Sequence, residues 1–195
     1  VTETLPSWYL GRNPEHKVIE ISYSEGFAQR FGKANKQKVE QFGSLFGIGL
    51  SKSSKSNVDW SLDNERGRMI SRGISSGITG EACNLMIIDD PIKNSQEAGS
   101  ELIRNRIYEE WVNSFRTRLA VGAKVIVIQT RWHEDDLYGR LKEDPYAEAV
   151  NIEAICESEN DPLGRKIGEG ICPEMGKGRD WLLAYKEALS IGKAN

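Results

Sequence analysis

Three stretches of the chain are almost continuously apolar and end in polar residues: KVIEISYS at 17–24, LMIIDD at 85–90 and KVIVIQT at 124–130. Short runs rich in β-branched residues predict strands covered on both faces, as in a parallel sheet. AVNIEAI at 149–155 alternates instead and predicts a weaker fourth strand. Helical spacing fills the gaps. Ser24 is placed to cap a helix in which Phe27, Phe31, Ala34 and Phe42 recur. Asn94 and Glu97 make a capping-box pattern, and Ile103, Ile107, Trp111, Phe115 and Leu119 then repeat every fourth residue, which predicts one long helix. Residues 43–80 have glycine, serine and lysine clusters around NVDWSLD and GRMISRG, the pattern of short strands in a hairpin or meander. Strands alternating with helices in this way predict an α/β fold around a mostly parallel sheet.

Composition narrows the picture. The 195 residues suffice for one domain, or for one domain with a small appendage. A net charge of −3 gives no global signal for nucleic acid, so any contact with DNA has to be local. Cys83, Cys156 and Cys172 are odd in number, widely spaced and never in a C-x-x-C arrangement. That pattern argues against a disulfide framework and a zinc site, and for a reducing, cytoplasmic setting. No apolar run approaches the roughly 20 residues that cross a bilayer, and no basic, then apolar, leader opens the chain. The first residue is Val1 rather than methionine, which leads us to expect a piece of a longer protein.

Candidate chemistry gathers at the strand ends. In a parallel sheet, ligands bind beyond the carboxyl ends of the strands, where LMIIDDP delivers Asp89 and Asp90 and where Pro91 cannot extend a ladder. Two adjacent carboxylates repel unless a cation or solvent takes up the charge. Mg²⁺ is the natural cation, in the Walker B manner of nucleotide hydrolases: one acid holds the metal and the next polarises the attacking water. The competing reading is a strand end followed by a turn, with solvated aspartates. The following strand brings Gln129, Thr130 and Arg131 to the same rim. There Gln129 and Thr130 are able to bond a γ-phosphate or the attacking water, and Arg131 to reach a phosphate or an acidic neighbour, whereas Thr130 as a plain cap and Arg131 as a surface residue paired with Glu134 or Asp135 are the alternatives. HEDD at 133–136 is read as acids in the first turn of a helix rather than as metal ligands. His16 and His133 have no partners at ligand spacing, and Trp132 reads as a core residue or an interface anchor.

The stretches WYLGRNPEHKVIEISYSEGFAQRFGK, RGISSGITGEACNLMIIDDPIKN and RLAVGAKVIVIQTRWHEDDLYGRL together resemble the ATPase domain of tailed-phage terminase large subunits, the motors that package DNA into empty capsids. The likeness runs from about residue 8 to about residue 190, and it is the combination of DDPIKN with QTRWHEDDL at this separation that is specific. It implies a RecA-like P-loop ATPase core, with Asp89 as the Mg²⁺ ligand, Asp90 as the catalytic carboxylate, and Gln129, Thr130 and Arg131 as the motif coupling hydrolysis to movement. It further implies Mg²⁺ and ATP as cofactors, and double-stranded DNA, a small terminase subunit and the portal ring as partners. The setting is the host cytoplasm, with a ring oligomer only in the motor.

The chain departs from that pattern in several ways. It contains no G-x-x-x-x-G-K-[ST], and GSLFGIGLSKSSKS at 43–56 has its glycines and lysines at the wrong spacing. The resemblance places that loop just before Val1, with VTETLPSWYL as the helix that follows it, and places an RNase H-like nuclease domain beyond the last residue. Glu81 stands where family members often carry an arginine after a T-G step, leaving Arg72 and Arg30 as candidate arginine fingers. Asp90 is also shorter than the glutamate that many P-loop ATPases use. The expectation is a terminase ATPase core that is inactive alone for want of the phosphate loop. The alternatives are a non-catalytic prophage remnant serving as a binding module, and a metal-dependent nuclease. The last is disfavoured because such sites draw acids from several elements.

Overall fold

The computed structural model describes residues 1–78 and 80–193. The chain divides into two compact units, Val1–Asp144 and Pro145–Asn195.

The first unit is built on a five-stranded sheet. Its strands are β1 (Lys17–Ser22), β2 (Asp59–Ser61), β3 (Arg68–Gly73), β4 (Cys83–Asp89) and β5 (Leu119–Ile128), in the order β2-β3-β1-β4-β5. β3, β1, β4 and β5 are parallel, whereas β2 pairs antiparallel with β3 as the hairpin expected of NVDWSLD and GRMISRG. The fold is therefore α/β with a mostly parallel sheet flanked by helices. α1 (Leu5–Arg12) and α2 (Glu25–Phe42) cover one face, where Leu10 and Val39 meet Val18, Trp60, Met69, Leu85 and Ile87. The other face packs Ile19, Ile21, Ile70, Met86 and Ile88 against Ala98, Ile107, Trp111, Phe115 and Leu137. These come from α3 (Ser95–Gly99), α4 (Glu101–Glu110), the turn that follows α4, and α5 (Leu137–Leu141).

α2 begins where Ser24 accepts a hydrogen bond from the Phe27 amide at 3.4 Å. Its buried side is not the phenylalanine stripe but Ala28, Gly32, Asn35 and Val39, and Phe27 and Phe42 are exposed. Small residues bring the helix close to the sheet: a Cβ on Gly32 would lie 2.2 Å from the Asn57 carbonyl oxygen. Trp60 Nε1 donates to the Gly32 carbonyl at 3.1 Å across the same contact.

The long helix expected after Asn94 is broken. Asn94 caps α3, accepting from the Glu97 amide at 3.0 Å. Ser100 adopts extended backbone and caps α4 in turn through the Ile103 amide, at 3.4 Å, because a serine hydroxyl competes with the ladder for backbone donors. α4 widens into a π-turn over Trp111–Phe115, and a short 3₁₀ turn, Arg116–Arg118, leads into β5. Leu119 therefore belongs to the strand, yet it packs on the same apolar cluster as Ile107 and Phe115. β5 starts five residues earlier than the sequence pattern indicates. Gly122, at φ 77°, lies in an irregularity that sets Cys83 opposite Leu119 and Leu85 opposite Lys124.

In the second unit, 149–155 forms no strand. Ile155 makes only an isolated bridge to Gly170, and Val150 and Ile152 are exposed. Alternation alone does not produce a strand where no neighbouring backbone offers a ladder. A partly buried Asp161–Arg165 pair at 2.7 Å organises the following loop, and α6 spans Arg179–Lys193.

Candidate functional site

β4 carries Asp89 to the carboxyl end of the sheet's centre, opposite Ser22 of β1 and Ile128 of β5. Leu85 and Ile87 point to the α1/α2 side, so Asp89 does as well. Burial pushes the Asp89 carboxyl above its ordinary value, a hydrogen bond from Thr2 opposes this, and the charge of Asp90 adds to the rise.

Asp90 leaves the strand in the left-handed region, at φ 43°. An L-residue with a side chain adopts that conformation at a cost, and aspartate is among the residues that tolerate it best. Two contacts with the end of β5 and the segment after it, and the proline that follows, define it. The Asp90 amide donates to the Ile128 carbonyl at 2.8 Å, the Thr130 amide donates to Asp90 Oδ1 at 3.0 Å, and Pro91 follows at once. Asp90 is thereby joined to the segment after β5 by both backbone and side chain. Next to it, the Gln129 side-chain amide is buried, and neither its oxygen nor its nitrogen has a hydrogen-bond partner. An orphaned amide costs roughly 1–3 kcal/mol and marks a place where a bound group is able to supply partners.

A second orphaned cluster lies below Asp89. Glu20 is fully buried in mid-β1, opposite Ser71 of β3 and Ile87 of β4. Both its carboxyl oxygens and the hydroxyls of Ser22 and Ser71 lack partners of ordinary geometry. Desolvation raises the Glu20 carboxyl to about 9, partly opposed by the Ser71 hydroxyl and reinforced by the charges of Asp89 and Glu25. Glu20 thus holds a proton at neutral pH. Thr2, Ser22, Ser71 and Glu20 were not singled out by motif. The available signal was one acid inside the apolar run of KVIEIS.

Other sequence candidates lie elsewhere. Arg131 is clasped by Asp136 at 2.7 Å, donates to the carbonyls of His133 and Glu134, and stacks over Tyr138 at 4.5 Å. Its partner is an acidic neighbour, Asp136, and not Asp89 or Asp90. Arg72 is in register with Ile21, on the sheet face opposite Asp89, and donates to the Ser71 carbonyl. Arg30 pairs with Glu3 on the surface at 3.0 Å. Glu81 is held by Lys17 at 2.6 Å and Arg68 at 2.8 Å. His133–Asp136 precedes α5 rather than forming its first turn: Asp136 caps it through the Gly139 amide, and Asp135 binds Arg140 and Arg104. Trp132 is exposed, and His16 bonds the Tyr9 hydroxyl.

The donor set can be tested against Mg²⁺. No cluster of three or more His, Cys, Asp or Glu able to hold a metal occurs among the described residues. Mg²⁺, however, is commonly bound through one or two carboxylates, with substrate phosphates and water completing its shell. Asp89 and Asp90 at the sheet's carboxyl rim fit that requirement.

The family model of the terminase large subunit, T4-like-virus type, N-terminal region, matches residues 1–189. The chain belongs to this family. Among solved structures, the crystal structure of the HK97 bacteriophage large terminase is similar, with a TM-score of 0.45 and 16% sequence identity over 73% of this chain. The terminase-family chain covers 29% of that chain's length. No curated protein matches it. No helix among the described residues is long and apolar enough to cross a membrane.

Proposed function

We propose that this chain supplies the carboxylate half of an ATP site in a phage DNA-packaging motor, in which ATP hydrolysis drives translocation of double-stranded DNA. Family membership supports a role in packaging. The observation that supports the ATP-coupled reading is the joint between Asp90 and Thr130 at the rim of the sheet. Asp89, seated on the rigid β4, is the residue to hold Mg²⁺, and Asp90 is the one to accept a proton from an attacking water. Bound Mg²⁺ would supply charge neutralisation to the β- and γ-phosphates. Gln129 has an Nε2 without a partner to donate to a phosphate oxygen, and an Oε1 without a partner to accept from the attacking water.

The same geometry offers a route for coupling. A displacement of Asp90 moves the Thr130 amide bonded to it, and Thr130 adjoins Arg131, which is fastened through Asp136 to the cap of α5. Three hydrogen bonds and one peptide link therefore connect the acid to a helix. The small terminase subunit and the portal are the partners that this motor reading requires.

Phosphate affinity needs more than these residues. The chain contains no G-x-x-x-x-G-K-[ST], the loop whose amides and lysine contribute charge-assisted bonds of roughly 1.5–3 kcal/mol each. We expect no turnover above background from residues 1–195 alone. Calorimetry with Mg²⁺ and ATP on this chain, and on one extended at its N-terminus through a phosphate-binding loop, tests the reading. Binding by the extended chain only, lost on Asp89→Ala, supports a composite site. An extended chain that fails to bind, or whose turnover survives Asp89→Ala, refutes it.

A further inference from the structure

The charge of this chain is unevenly placed. Between Gly26 and Asn57 lie six basic side chains, Arg30, Lys33, Lys36, Lys38, Lys52 and Lys55, and one acid, Glu40, in a chain whose net charge is −3. Four of these bases lie on α2 and two on the 49–57 segment that is fastened to it. The side of α2 opposite its buried stripe carries Arg30, Lys33 and Gln37 outward. Lys36 Nζ donates to the carbonyls of Ser54 at 2.6 Å and Ser56 at 3.0 Å, and so fastens the 49–57 segment along the helix. The close approach of Asn57 to Gly32 and the Trp60–Gly32 hydrogen bond fix the same join from the sheet side. Lys52 and Lys55 belong to the segment fastened in this way, and both are exposed, as are Arg30 and Lys33 on the helix.

Between the helix and that segment runs a groove of about 520 Å³, lined by Gln29, Arg30, Lys33, Gln37 and Asn57, with Glu3 at one side. Its acid is already occupied, because Glu3 pairs with Arg30. Lys33, Lys52 and Lys55 take part in no ion pair among the described residues. The groove therefore offers uncompensated positive charge next to neutral amide donors. Lysines and side-chain amides are the groups that contact phosphate and sugar without reading sequence.

We propose that this ridge, α2 with the 49–57 segment, is a docking surface for the phosphate backbone of duplex DNA. The proposal rests on the packaging reading above for its choice of DNA, and on the charge and the built groove for its location. Lysine contacts make the binding non-specific in sequence and steeply dependent on salt, since each phosphate neutralised contributes a slope of about −0.9 in log affinity against log salt.

The test uses the full 195-residue chain without nucleotide, so that it is independent of the ATP site. Fluorescence anisotropy with a labelled duplex of about 30 base pairs, about three helical turns at 10–10.5 base pairs per turn, is followed as a function of salt. The ridge variant is Lys33→Glu with Lys52→Glu and Lys55→Glu. A control with the same change in charge, Arg106→Glu with Arg116→Glu and Lys124→Glu, alters exposed positions on other elements. The expected result is a loss of at least about tenfold and a salt slope shallower by about 3 for the ridge variant, from three phosphate contacts at about 0.9 each, with a smaller loss for the control. The neutral set Lys33→Gln, Lys52→Gln and Lys55→Gln is expected to give an intermediate loss, and it keeps the test valid if the charge reversal unfolds the chain. Equal losses in ridge and control variants, or no duplex binding by the parent chain at low salt, overturn the proposal. So does a ridge variant that loses only self-association in sedimentation and keeps its duplex affinity, since the surface would then dock a second copy. Duplex binding that follows the ridge while nucleotide binding fails would leave this surface standing and remove the ATP reading.

Discussion

The Thr130 amide donates to Asp90 Oδ1 at 3.0 Å, and the aspartate that accepts it sits at φ 43°. The residue after the metal-ligand candidate is thus held in a left-handed conformation by the segment following the neighbouring strand. Strain of this kind persists only where surroundings over-determine it, and it collects at working sites.

Replacement of Asp90 separates strain from chemistry. Asp90→Asn keeps an acceptor for Thr130 and a residue tolerant of φ > 0, so thermal stability is expected to stay within about 0.5 kcal/mol of the parent, as for substitutions that break no such feature. Asp90→Val loses both and is expected to cost about 1–3 kcal/mol. Denaturant melts of the two variants check this. Equal stability would mean that the backbone at residue 90 is not held as described.

Glu20 makes stability depend on pH in an unusual direction. Its carboxyl titrates near 4.5 when unfolded and at about 9 when folded. Below the unfolded value both states are protonated, and Glu20 adds no pH dependence. Between the two values the unfolded chain has released a proton that the folded chain retains, so stability falls as pH rises. Above the folded value both states are ionised, and the loss is complete. Urea melts from pH 5 to 9 are expected to show this decline, and Glu20→Gln should flatten it. Acid has the opposite effect on the second unit: Arg165 holds Asp161 down at about 2, so its contribution disappears as pH falls through that value.

Two glycines in α2 predict opposite outcomes for the same change. Gly32→Ala would set a Cβ 2.2 Å from the Asn57 carbonyl oxygen and 2.9 Å from Ser71 Oγ. A backbone oxygen has no rotamer by which to yield, so a loss of about 3 kcal/mol or more is expected, at the upper end for overpacking. Gly26→Ala meets nothing within 4 Å and should gain a few tenths of a kcal/mol from helix propensity, less than the interior value because it lies in the first turn. Circular dichroism melts of both decide whether the helix lies as close to the sheet as described.

Asp136 has two tasks, accepting from the Gly139 amide at 2.9 Å and pairing with Arg131 at 2.7 Å while itself almost fully buried. Asp136→Ala removes the cap, at about 1 kcal/mol, and leaves Arg131 without its carboxylate. Asp136→Asn restores an acceptor for the cap but not the ion pair, so its stability should fall between the two. If coupling runs through Arg131, DNA-stimulated turnover of the complete motor drops in both variants more than its basal turnover does. An unchanged ratio would exclude that route.

The apolar runs determined β1, β4 and the second half of β5, because a strand buried on both faces has to be apolar whatever surrounds it. DDP and QTR marked the polar ends of β4 and β5, and Ser24 and Asn94 fixed two helix starts through local hydrogen bonds that need no distant partner. The apolar repeat from Ile103 to Leu119 correctly named the residues that meet in one cluster. It did not determine their conformation: Ser100 restarts the helix, and Leu119 reaches the cluster from a strand. Only the tertiary structure turned Arg131 away from the acids, because the competition among Asp136, two carbonyls and Tyr138 is settled by how the chain folds back on itself. It likewise chose the small-residue side of α2 for burial, since the space between helix and sheet excludes phenylalanine. Glu20, inconspicuous as one letter in an apolar run, became a proton-holding residue because neighbouring strands and α2 removed its water.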